Sequence, residues 1–248
     1  MRIPAPPAGR LVVVCMYAQS NVSGHASAVA SAPADHARNV SRCWKRDVNK
    51  ALVPATEPLH GGIDTTFNAG DGFASTLVAV NDWLDYAPTK TAIIIPRAYG
   101  ATTMLSHWAI SPEAAMTKRA IDDTLIDLRS TDRPVFFIIK GETEATNEDA
   151  AAASFGADLQ AALSFARVRL GRSTMPAIIC QLPSTALRTA WATIRTGIAA
   201  RASAVDPKQV IVTNPNEATI ATIHYTPAQH IALGHTVGTE LIALVPDW

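Results

Sequence analysis

Ser20 stands where an apolar run gives way to polar residues. In "VVVCMYAQSNVSGH" (12–25) a strand-like stretch breaks into Gln19-Ser20-Asn21, with Gly24 close behind. A hydroxyl presented there is either a turn residue or a nucleophile. A nucleophile needs a base for its proton and N–H donors for the oxyanion that develops. The chain holds these types elsewhere: Tyr99-Gly100-Ala101-Thr102-Thr103, Lys140-Gly141-Glu142-Thr143-Glu144, and His224. A hydroxyl, a close-approach glycine, a polar side chain beside a glycine and an imidazole are together what acyl transfer requires, if one edge of the fold collects them.

Five apolar runs predict the strands that would do so: 10–16, 91–97, 133–139, 176–182 and 209–213. Each is short, rich in Val and Ile, and apolar on consecutive positions, as parallel strands covered on both faces are. Helix-like stretches alternate with them, over 71–86, 111–130, 146–171, 185–204 and 226–244. The second opens on Ser-Pro-Glu and the last on Thr-Pro, both start signals. Strictly alternating elements predict a single-domain three-layer α/β/α sandwich over 1–248 with a five-stranded parallel sheet. Residues 25–71 are long, polar and without clear period, a functional or packing excursion inside that domain. In such sheets ligands sit beyond the carboxyl ends of the strands. The candidate residues lie just past the first, second and third runs, and His224 lies in the loop beyond the fifth.

Composition removes several classes. The 248 residues carry 21 basic and 21 acidic side chains with no long run of either sign. That argues against a dedicated nucleic-acid surface or a polybasic membrane patch. No apolar stretch reaches spanning length, and Pro and Gly interrupt the first residues where a signal peptide would need its apolar core. Export is not expected, which leaves a cytoplasmic or virion-associated setting open and makes the Asn-Val-Ser sequons at Asn21 and Asn39 chance matches. Cys15, Cys43 and Cys180 have no paired spacing, so no disulfide framework is implied. No His/Cys/Asp cluster has metal-ligand spacing and no glycine pattern fits a phosphate, so neither metal nor cofactor is expected. Each residue also has a bland role. Ser20 alone is more often a turn residue, Gly100 a tight-turn glycine, Glu142 a buried structural carboxylate, and Trp108 a packing residue. His230 and His235, on the final helix, read as surface or packing residues.

The blocks together resemble the SGNH hydrolases, and within them the carbohydrate esterase family 6 and sialate O-acetylesterase-like branch. "AQSNVSG" resembles that branch's Gly-Gln-Ser-Asn-Met-Ser-Gly block, and "PRAYGATTMLSHW" its second block with a following Trp. "FFIIKGETEA" is similar to its Gln-Gly-Glu block and "IHYTPAQHIALGHTVGTEL" to its terminal His loop and helix. "LVPATEPLH" resembles a piece of the linking loop. The resemblance implies a flavodoxin-like SGNH fold, Ser20 as nucleophile, His224 as general base, and backbone N–H groups of Ser20 and Gly100 in the oxyanion hole. Lys140 stands where the family has a Gln side chain as third oxyanion donor. Ala221 stands where the family has the Asp that orients the imidazole. A Ser–His dyad is therefore expected, or an atypical triad in which Glu142 or Glu217 supports the base. Gln19, Asn21, Thr102 and Trp108 would line the substrate pocket. The implied activity is removal of acetyl groups from O-acetylated carbohydrate. The alternative is a catalytically weakened glycan-binding or structural module of a larger assembly, such as a phage appendage, alone or with further copies.

Overall fold

The computed structural model describes residues 9–18, 20–23, 38–47, 49–59, 72–100, 102–104, 108, 115–147, 149–184, 190–202, 209–215 and 224–246. All five apolar runs form strands: β1 (Leu11–Cys15), β4 (Ala92–Pro96), β5 (Arg133–Ile139), β6 (Ala177–Cys180) and β7 (Gln209–Val212). They pair in parallel, with β1 central between β4 and β5. Numbered by themselves, these five run in the order 2-1-3-4-5, the doubly wound order whose switch point lies beside the first strand.

The sheet is wider than the expected five strands. Cys43–Arg46 (β2) adds in parallel to β4, and Leu52–Pro54 (β3) pairs antiparallel with β2, giving seven strands. Both extra strands come from the 25–71 excursion. They escape an apolar-run reading because β2 carries Lys45 and Arg46, and β3 is a three-residue strand ending on Pro54. Short, partly exposed, Pro-terminated strands are how sheets close an edge.

Alternation along β1 divides the core. Val12 and Val14 face one cluster with Ile121, Phe155, Leu163 and Ile194, while Leu11, Val13 and Cys15 face another with Leu77, Trp83, Leu233 and Val237. The first layer is α3 (Ala115–Asp127), α5 (Asp149–Arg169) and α6 (Ala190–Ala202). The second is α2 (Ser75–Tyr86) and α7 (Pro227–Leu244), packed on each other. Two four-residue helical turns, α1 (Ser20–Ser23) and α4 (Glu144–Asn147), sit at the exits of β1 and β5. The start of α7 is fixed as its sequence predicts. Thr226 and Gln229 form a reciprocal capping box and Pro227 takes the first turn. At the opposite, N-terminal edge of the sheet, Asp132 binds the Arg10 guanidinium at 2.6 and 3.1 Å and the N–H groups of Arg10 and Arg129, tying the starts of β1 and β5. No described helix is long and apolar enough to cross a membrane.

Candidate active site

The chain leaves β1 through Tyr17, whose φ of +57° puts a bulky residue in the left-handed region. That conformation costs on the order of 1–2 kcal/mol and persists only where packing imposes it. Here the packing is aromatic. The Tyr17 ring meets the Trp108 indole edge-on at 5.4 Å, and Tyr99 lies 5.7 Å from the same indole, all three rings buried. The turn leads directly into α1, so the Ser20 backbone opens a helical turn at the carboxyl edge of the central strand. Gln19, Glu217, Ala221 and the Ser20 side chain lie outside the described residues.

Asn21 is fully buried and bonded on both sides of its amide. Its Nδ2 donates to Glu142 Oε1 at 2.7 Å, and its Oδ1 accepts from the Tyr225 N–H at 3.1 Å. One side chain thus joins the exit of β1, the exit of β5 and the loop before α7. The second of these bonds links the residue after Ser20 to the residue after His224. Tyr225 is itself buried, and its hydroxyl accepts from Asn214 Nδ2 at 2.7 Å, just past β7. His224 is half-buried.

The exit of β5 needs Gly141. Its φ is +122°, and a Cβ there would lie 2.8 Å from Ile194 Cγ2 and 3.2 Å from Leu182 Cδ1. On either side of it, Lys140 and Glu142 point to different partners. Lys140 is buried and donates to the Thr102 carbonyl, with Glu144 Oε1 at 3.4 Å. Burial pushes its ammonium below the usual lysine range, and Glu144 and Glu142 pull it back. Burial pushes the Glu142 carboxyl up, against the Asn21 hydrogen bond and the Lys140 charge. Glu144 Oε1 also accepts the Met104 N–H at 2.8 Å. Lys140 and Glu144 therefore hold the Thr102–Met104 segment beyond Gly100. Thr102 is turned inward, its hydroxyl donating to the Tyr99 carbonyl at 2.9 Å and accepting from the Trp108 indole at 3.1 Å. Gly100 is buried in the same loop, and the Tyr99 N–H reaches the Ala18 carbonyl at 3.3 Å, which draws that loop against the β1 exit.

A family model described as "carbohydrate esterase, sialic acid-specific acetylesterase" matches residues 10–243. The chain belongs to this family. Membership makes the protein a carboxylic ester hydrolase of the acetylesterase type. No curated protein matches it in sequence. Among solved structures, a protein from Arabidopsis thaliana is similar over 96% of this chain and 99% of its own, at 17% identity and a TM-score of 0.81. NanS is similar over 97% of this chain and 98% of its own, at 12% identity and a TM-score of 0.71. A carbohydrate acetylesterase from Xanthomonas citri is similar over 95% of this chain at 17% identity and a TM-score of 0.64, and the chain spans 56% of its length. At these identities the three share the fold with the esterase.

The esterase holds a serine–histidine contact that sequence reading did not pair. Ser75 Oγ lies 3.0 Å from His230 Nδ1, with both side chains fully buried. Burial and the neighbouring His224 push His230 down to about 3, so its imidazole is neutral near neutral pH, and it is closed to solvent. It is a packing pair, whereas His235 is exposed and bound to Asp82 at 2.7 Å. Tyr225 and Asn214 also went unread as parts of the site, and Glu144 was read only as a member of its strand-end segment. Asn214 and Glu144 stand within a few residues of a strand's end, where the rule that found Lys140 and Glu142 applies equally. Among the described residues no group of three His, Cys, Asp or Glu side chains is placed to hold a metal ion. A cavity of about 560 Å³, lined by Arg133, Arg172, Met175 and Leu244, lies at the other edge of the sheet, away from these residues.

Proposed function

We propose that the esterase removes acetyl groups from an O-acetylated carbohydrate, with Ser20 as nucleophile and His224 as general base. Ser20 Oγ attacks the acetyl carbonyl as His224 takes its proton. The oxyanion is met by the backbone N–H groups of Ser20 and Gly100. Lys140 adds its charge and steadies the Thr102 end of the Gly100 loop. The tetrahedral intermediate expels the sugar oxygen, which receives the proton from His224, and leaves an acetyl-enzyme. Water, deprotonated by His224, then releases acetate and restores Ser20. The supporting observation is the Asn21–Tyr225 bond, which ties the two backbone positions flanking this chemistry to one buried side chain. The family description makes O-acetylated sialic acid the first carbohydrate to try.

The test is hydrolysis of p-nitrophenyl acetate and of O-acetylated sialic acid by the wild type, Ser20→Ala and His224→Ala. Turnover by the wild type that both substitutions abolish is the expected result. Ala221 and Lys140 depart from the family's pattern and favour one rival, glycan binding without turnover. That rival predicts no release of acetate, no reaction of Ser20 with a fluorophosphonate, and glycan binding that survives Ser20→Ala.

A further inference from the structure

Thr102 and Trp108, read from sequence as pocket residues, have buried side chains. Thr102 Oγ1 meets the Trp108 indole N–H at 3.1 Å, the Lys140 ammonium at 3.4 Å and the Tyr99 carbonyl at 2.9 Å. Chemistry decides the direction of each bond. An indole N–H and an ammonium only donate, a carbonyl only accepts, and a hydroxyl has two lone pairs and one proton. The lone pairs face Trp108 and Lys140, so the proton goes to the Tyr99 carbonyl.

That carbonyl shares a peptide with the Gly100 N–H. The peptide is planar and trans, so its C=O and N–H point to opposite sides. Holding the carbonyl on Thr102 therefore turns the Gly100 N–H away from the buried Thr102–Trp108–Lys140 cluster. The Tyr99 N–H, bound to the Ala18 carbonyl at 3.3 Å, fixes the preceding peptide against the β1 exit. Hydrogen bonds in series also polarise one another. A donor on the Tyr99 carbonyl draws charge along the peptide and makes the Gly100 N–H a stronger donor. Lys140, which also donates to the Thr102 carbonyl, places a cation at the far end of this chain of bonds. We propose that Thr102 is a positioning residue of the oxyanion hole. Its hydroxyl, directed by Trp108 and Lys140, orients and polarises the Tyr99–Gly100 peptide and touches no reacting atom. The inference rests on the Gly100 N–H meeting the oxyanion.

The sequence supplies a direct probe, because Tyr99 alone among the four tyrosines precedes a glycine. Protein isotope-labelled at the tyrosine carbonyl carbon and the glycine nitrogen gives one carbonyl-to-amide NMR correlation, that of this peptide. The signal is read below the melting temperature in the wild type, Thr102→Val, Thr102→Ser and Trp108→Phe, with kcat and KM on p-nitrophenyl acetate. Each protein is observed free and after a fluorophosphonate, whose phosphoryl oxygen takes the oxyanion's place, has modified Ser20. Modification should move the wild-type signal. Removing an oxyanion donor costs about 100- to 1,000-fold. Thr102→Val misaligns one, so kcat should fall about 10- to 100-fold with KM within about twofold. Its signal should shift in the free protein and respond less to the probe. Thr102→Ser keeps the hydroxyl and should hold kcat within about threefold, with a wild-type signal. Trp108→Phe removes one donor to that hydroxyl and should fall between. An unshifted signal and unchanged kcat in Thr102→Val overturn the proposal. So does a loss of kcat equal in Thr102→Val and Thr102→Ser. A wild-type signal that ignores a modified Ser20 takes Gly100 out of the oxyanion hole, and the inference fails with it. A Ser20 that does not react overturns the esterase mechanism instead, and the free-protein signal still decides whether Thr102 sets this peptide.

Discussion

Replacing Asn21 with Ala leaves two buried groups short of a partner, Glu142 Oε1 and the Tyr225 N–H. An unsatisfied buried polar group costs about 1–3 kcal/mol, so Asn21→Ala should lose about 2–4 kcal/mol in urea unfolding. If Ser20 and His224 form the dyad proposed above, kcat should fall at least about tenfold, since both of its ends shift. Glu142→Gln separates two roles for the carboxylate. A Gln Oε1 still accepts from Asn21 Nδ2, so a purely structural Glu142 predicts turnover within about threefold of wild type. A loss of about 100-fold or more would instead make its charge part of the base's support. These residues were visible in the sequence because they follow apolar runs, and chemistry in this fold gathers past strand ends. The partners of Asn21 were not visible. Its contacts with Glu142 and Tyr225 span 121 and 204 residues, and nothing local marks a side chain that bonds over such distances.

Helix α7 carries the His224 loop on its N-terminal end, and its seat on α2 is set by a glycine. A Cβ on Gly234 would fall 2.5 Å from Val78 Cβ and 2.9 Å from the Ser75 carbonyl. Overpacking of this kind costs about 1–3 kcal/mol, so Gly234→Ala should lower the melting temperature measurably. Because this end of α7 carries the loop of His224, the proposed base, the same substitution should reduce kcat more than an equally destabilising change placed far from the α2–α7 contact. Equal losses in the two variants would separate helix seating from catalysis. At this scale the sequence was informative where elements are long and buried. The runs at 10–16 and 133–139 became β1 and β5, and Thr226-Pro227 became the cap of α7. It was silent on β2 and β3, where pairing with β4 overrides a composition containing Lys45, Arg46 and Pro54. Tertiary context decides short edge strands, and propensity does not.

Across the whole molecule, formal charge balances, and a half-buried carboxyl and a buried imidazole set opposing responses to pH. Glu57 accepts the Leu59 and Ala74 N–H groups, and burial raises it from 4.5 to about 7. The folded state keeps that proton after the unfolded chain has lost it, so this contribution is full below 4.5 and disappears as pH rises to about 7. His230 is the reverse case. Burial lowers it from 6.5 to about 3, so the unfolded chain gains a proton that the folded state refuses. Its contribution is full above 6.5 and disappears as pH falls to about 3. Each limb has a slope of up to about 1.4 kcal/mol per pH unit, with opposite sign. Between 4.5 and 6.5 the two therefore offset each other, although each is steep alone. Glu57→Gln removes one limb while its amide oxygen keeps an acceptor for Leu59 or Ala74. Relative to wild type, its unfolding free energy should rise from pH 4.5 to about 7 and then level off. Urea titrations at half-unit pH steps would read this directly. Parallel profiles for the two proteins would mean that Glu57 is already ionised in the folded state at pH 4.5–7, beside Lys45.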